Sequence, residues 1–94
     1  MINALVRFTV EDFSKWKPVF EEAAALRKSY GSISAQAFHK AESKNEIFVL
    51  LRLESREKAG EMFQSPEFRE ITKRGGMVGP PEVTFLEEVT SLPS

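Results

Sequence analysis

The sequence has no cysteine and only one histidine, one tryptophan and one tyrosine. Without cysteine it can form no disulfide, no thiolate nucleophile and no cysteine-ligated metal site. One histidine and scattered carboxylates make no ligand spacing, so neither a metal nor a cofactor is expected. Long apolar runs are also missing: none approaches the roughly 20 residues needed to cross a bilayer. The opening stretch MINALVRFTV lacks a basic region followed by an apolar core and a small-residue cleavage site. Neither sign of charge dominates, with 13 basic against 14 acidic residues. That balance removes the main electrostatic reason to expect nucleic acid or an anionic membrane as partner. These absences together imply a soluble, cytoplasmic protein.

What is present suits one globular domain spanning residues 1–94, in which roughly 60–65% of the unfolded surface becomes buried. No repeat, linker or low-complexity segment divides it. The longest periodic stretch is EDFSKWKPVFEEAAALRKSYG, Glu11 to Gly31. Plotted at about 100° per residue, Phe13, Trp16, Phe20, Ala23, Ala24, Leu26 and Tyr30 fall on one side. Ser14, Glu21, Glu22, Lys28 and Ser29 fall on the other, and Arg27 projects from near the middle of the apolar stripe. Asp12 or Ser14 can cap the start of this helix, and Gly31 supplies the left-handed residue that ends it. Pro18 predicts either a separate first turn or a bend at that point.

Around the helix lie runs with the period of a strand. Ile2 to Val10 alternates, with Ala4, Val6 and Phe8 pointing one way. Ile33 to Lys40 and Glu46 to Leu53, joined by the polar link AESKN, read as an antiparallel hairpin. The second of these runs is apolar on both faces, with Ile47, Val49, Leu51 and Leu53 in one row and Phe48 and Leu50 in the other, so it needs cover on both sides. Ser55 begins a short helix through about Gln64 that buries Ala59, Met62 and Phe63. The segment SPEF places a cap at Ser65, proline at the first helical position and an acid in the first turn. This next helix stops at Gly75-Gly76. MVGPP reads as a loop, Glu82 to Val89 as the last strand and SLPS as a tail. The order β-α-β-β-α-α-β predicts an α+β, ferredoxin-like fold, a four-stranded antiparallel sheet with all helices on one face.

Parity then puts Leu5, Phe38, Phe48, Leu50 and Leu86 on the face without helices, beside Arg7, Arg52 and Glu88. So large an apolar group is more than soluble monomers usually expose, and a charged rim around it suits an interface. A homodimer through this face is expected.

Few residues can carry chemistry. His39, near the end of the second strand, could act as a general base or proton shuttle; a strand-end histidine meeting solvent or a carbonyl is the plainer alternative. Arg27 could bind a phenolate or carboxylate at the edge of an apolar pocket. Its place in the last helical turn also suits the macrodipole, with its stem along apolar surface. Trp16, Phe20 and Met62 are ligand contacts or core, and the hydroxyl of Tyr30 could reach a ligand or only end the helix. GGMVG follows a helix and precedes a strand, the reverse of a phosphate-binding glycine loop.

The helix ending in RKSYG, and above all MFQSPEFREITKRGG followed by EVTFLEEV, resembles the dimeric α+β barrel superfamily. Within it the chain is most similar to small antibiotic-biosynthesis-monooxygenase-like domains, including relatives called cyclases, from Ile2 to Val89. The resemblance implies a dimer with one pocket per subunit between helices and sheet. It also implies a small apolar ligand and, as activity, cofactor-independent monooxygenation of aromatic or polyketide-like substrates. The alternative is a non-catalytic ligand-binding or accessory dimer. The haem-degrading branch of the superfamily carries tryptophan and histidine at positions that align with Met62 and Thr72, so haem degradation is not expected.

Overall fold

A computed structural model describes residues 2–94. Strand β1 (Ile2–Val10) leads into helices α1 (Phe13–Glu22) and α2 (Ala24–Ser29), then into the hairpin β2 (Ser32–Lys40) and β3 (Ser43–Leu53). Helices α3 (Arg56–Gln64) and α4 (Pro66–Arg74) follow, and β4 (Met77–Leu86) closes the sheet. The strands are all antiparallel in the order β2-β3-β1-β4. This is the expected ferredoxin-like α+β fold, with β1 and β3 at the centre.

Alternation along the two central strands decides where the core lies. Ala4, Val6, Phe8 and Val10 of β1 are all at most 9% exposed, and Ile47, Val49, Leu51 and Leu53 of β3 are all at most 4% exposed. Register pairs these rows directly, Ala4 with Leu51, Val6 with Val49 and Phe8 with Ile47, so they form one continuous apolar strip under the helices. Trp16, Ala59 and Met62 cover it from the other layer. The opposite face keeps Phe38 at 53% and Leu86 at 40% exposure.

Three details depart from the sequence reading. The first helix runs through Pro18 and breaks five residues later, at Ala23. Proline at that point removes only a bond to the Ser14 carbonyl, on the exposed side of the first turns, so the helix absorbs it. The hairpin link shortens to the turn Ala41–Glu42, because β3 begins at Ser43. The last strand starts at Met77 rather than Glu82, so MVGPP belongs to it, and it ends at Leu86. Pro80 and Pro81 are tolerated because β4 is an edge strand, and the register shifts opposite Phe8, between Arg7 and Thr9. Gly79, at φ 73°, sits in this irregular segment.

Candidate functional site

An apolar cavity opens between the helical layer and the sheet. Its volume is about 610 Å³, the open solvent at its mouth included. Val6 and Phe8 of β1 and Val49 and Leu51 of β3 form its floor. Trp16 and Phe20 of α1, Leu26 and Arg27 of α2, and Met62 and Phe63 of α3 form its walls. Phe68, Ile71 and Thr72 of α4 and Met77 of β4 complete them.

One wall is a run of aromatic rings. Trp16 and Phe20, one helical turn apart, are stacked with centroids 4.9 Å apart, and Phe8 leans on Trp16 at 5.7 Å. The other side is built by the sharp step between α3 and α4. There the buried Ser65 donates its hydroxyl to the Met62 carbonyl at 2.8 Å and accepts the Phe68 N–H at 3.1 Å. That pair of bonds sets the angle at which Met62 and Phe68 meet, and Phe63 packs edge-on to Phe68 at 5.3 Å.

Polarity enters the cavity at two side chains. Arg27 is half-buried, and its Nη1 donates to the Phe20 carbonyl at 2.7 Å while the guanidinium lies 4.0 Å from the Phe20 ring centroid. Burial lowers its pKa from the ordinary arginine value, yet a guanidinium keeps its charge at neutral pH. Its remaining N–H donors are not used by that bond. Thr72 turns its hydroxyl proton back to the Arg69 carbonyl at 2.7 Å, leaving oxygen lone pairs and a methyl group.

The structure therefore brings Arg27, Trp16, Phe20 and Met62 together around one space. It places the other two sequence candidates elsewhere. Tyr30 is half-buried at the end of α2, against the core but off the cavity lining. His39 is exposed, its Nδ1 2.9 Å from the Lys40 carbonyl oxygen. That oxygen can only accept, so Nδ1 carries the proton. The His39 ring meets Phe13 edge-on at 5.3 Å, and Phe13 in turn meets Trp16 at 6.0 Å, so Phe13 stands between the histidine and the cavity wall.

Met62 and Thr72, the positions set against the haem-degrading branch, both line the cavity. Among the described residues no three histidine, cysteine or acidic side chains come together as a metal-binding group. Sequence reasoning missed Thr72 as a lining residue, and it missed Met77, which it placed in a loop. The signal for Thr72 was its position one residue after Ile71 and four after Phe68 on the helix that follows SPEF.

No protein-family model matches the chain, and no curated protein sequence matches it. Solved structures do match. A protein from Bordetella bronchiseptica assigned as an antibiotic biosynthesis monooxygenase superposes with a TM-score of 0.82 at 17% identity, over 95% of this chain and 97% of its own. SnoaB, a cofactor-independent oxygenase from Streptomyces nogalater, superposes at 0.79 with 16% identity, over 99% of this chain and 97% of its own. A Caulobacter crescentus protein with the same assignment as the first reaches 0.74 at 19% identity, over 95% and 90%. The chain shares the ferredoxin-like α+β fold of these proteins. At these identities the likeness carries the architecture of that fold. No described helix is long and apolar enough to cross a membrane.

Proposed function

We propose that the protein is a homodimer that binds a small aromatic or polyketide-like molecule and oxidises it in the manner of a cofactor-independent monooxygenase. The observation that carries this reading is the apolar cavity between helices and sheet, with one guanidinium, that of Arg27, set in its wall. An apolar space with a few polar groups is how small-molecule sites are usually built. In such a reaction the substrate supplies the electrons. A phenol held as its anion reduces O2, one oxygen atom becomes the second carbonyl of a quinone, and the other leaves as water with the two displaced hydrogens. Arg27 would favour the phenolate over the phenol, because a cation beside it in a desolvated wall lowers its pKa.

Oxygen consumption with electron-rich phenols tests the chemistry. The expected result is turnover that is abolished in Arg27→Ala and intact in the surface control Lys44→Ala. His39, on the far side of Phe13, is the second candidate, and His39→Ala lowers the rate only if the substrate proton leaves past that ring. Absence of consumption with every phenol overturns the oxygenase reading. A binding protein without catalysis is the second reading, and it is favoured by the engagement of Arg27 with Phe20 and by a cavity that, among the described residues, is lined by no carboxylate or histidine.

The dimer rests on the open face of the sheet, where Leu5, Phe38, Phe48, Leu50 and Leu86 lie in paired rows. Sedimentation is expected to give a dimer at micromolar concentration. Leu50→Lys, which charges the centre of that face, should give a folded monomer; a wild-type monomer at that concentration would sink the assembly.

A further inference from the structure

The cavity continues into an open groove between α4 and β4, with which it shares Phe63, Phe68, Thr72 and Met77. Gly79, Pro80 and Pro81 form the outer wall of the groove, and Arg69 and Lys73 of α4 line the other side. These two cations are one helical turn apart, which puts them on the same strip of α4. Among the described residues neither makes an ion pair, whereas Arg74 on the same helix is engaged with Glu22 of α1 at 3.3 Å. The mouth therefore has positive charge without an internal partner, next to an interior whose lining is almost wholly apolar.

We propose that this mouth recognises a carboxylate on an aromatic ligand, with the ring among Phe63, Phe68 and Met77 and the anionic group between Arg69 and Lys73. The inference rests on the cavity being a ligand site and adds the class of molecule it takes. A neutral aromatic would gain nothing from the two cations, which are exposed to water. An aromatic cation would be repelled at the entrance, and an anion lacking a ring would forgo the apolar contacts behind it. Thr72, between Arg69 and Lys73 in sequence and with its hydroxyl proton already engaged, offers no donor that competes with them for the carboxylate.

The sole tryptophan lines the cavity, so its fluorescence reports occupancy without a label. The probes are 4-bromobenzoate and its neutral methyl ester, whose bromine quenches a nearby indole. Both should quench saturably, the acid at roughly tenfold lower concentration than the ester. Added salt should weaken the acid alone. In the double variant Arg69→Gln/Lys73→Gln the acid should fall to the ester's level while the ester is unchanged. Equal binding of acid and ester by the wild type overturns the proposal and leaves the cavity standing. So does an acid preference that survives the double variant and disappears in Arg27→Met. Saturable quenching by neither probe overturns the cavity reading together with the proposal.

Discussion

Each half of the fold returns to the sheet through a pair of short helices, and the two pairs are interrupted by different means. Between α3 and α4 the interruption is local. Ser65 ends one helix and caps the next with a single hydroxyl, and Pro66 and Glu67 occupy the first turn that follows. Between α1 and α2 no side chain among the described residues caps the break at Ala23. Instead the Arg27 guanidinium reaches back seven residues to the Phe20 carbonyl. One break is written in adjacent residues; the other depends on a long side chain lying over an aromatic ring. Both breaks shape the cavity, because Met62 and Phe68 flank the first while Phe20, Ala23 and Arg27 flank the second.

Substitutions at the two joints measure that difference. Ser65→Ala removes a cap and leaves the Met62 carbonyl without its hydroxyl donor in a buried position, and about 1–2 kcal/mol of stability should be lost in urea titrations. Arg27→Met keeps the apolar stem but loses one charge-assisted bond and the contact with the Phe20 ring. Because that joint is half open to water, the expected loss is nearer 1 kcal/mol. Equal losses would mean that the Arg27 joint is as structural as the Ser65 joint, and would weaken the case for Arg27 as a ligand-facing group.

The smallest effect lies at the start of the α1–α2 pair. Asp12 accepts from both the hydroxyl of Ser14, at 2.6 Å, and its backbone N–H, at 2.9 Å, and these bonds hold its carboxyl below the usual value of 3.8. A depressed folded value means that the charged cap stabilises fully above the unfolded value and that this is lost as pH falls through the folded one. The stability of the wild type relative to Asp12→Asn should therefore be constant from pH 5 to 7 and decline below about pH 4. Urea midpoints measured across that range check it, and a flat difference down to pH 3 would count against the bond geometry at Asp12.

Legibility in the sequence followed the same division. Signals that act over one to four residues were readable: the Ser55 and Ser65 caps, Pro66 at the first helical position, Gly31 at the close of α2, and the period-two rows of β1 and β3. The break at Ala23 was not readable, since nothing at positions 22 to 24 disfavours a helix. The path of MVGPP was misread because two prolines and a glycine spell a loop unless the segment lies at a sheet edge, and edge position is a property of strand order. Among the candidate site residues, helical spacing brought out Trp16, Phe20 and Arg27. The same spacing included Tyr30, which follows the end of α2 and lies off the cavity lining.

By itself the sequence determined the order of strands and helices, the inner and outer faces of the central strands and the apolar character of the space between layers. Those follow from periodicity and capping, which act within a few residues and hold whatever else the chain does. The tertiary structure alone decided how far the walls stand apart, that His39 falls behind Phe13, and that Arg69 and Lys73 stand at the mouth with no ion pair among the described residues. These depend on strand order and on contacts between residues far apart in the chain, for which spacing in one dimension carries no information.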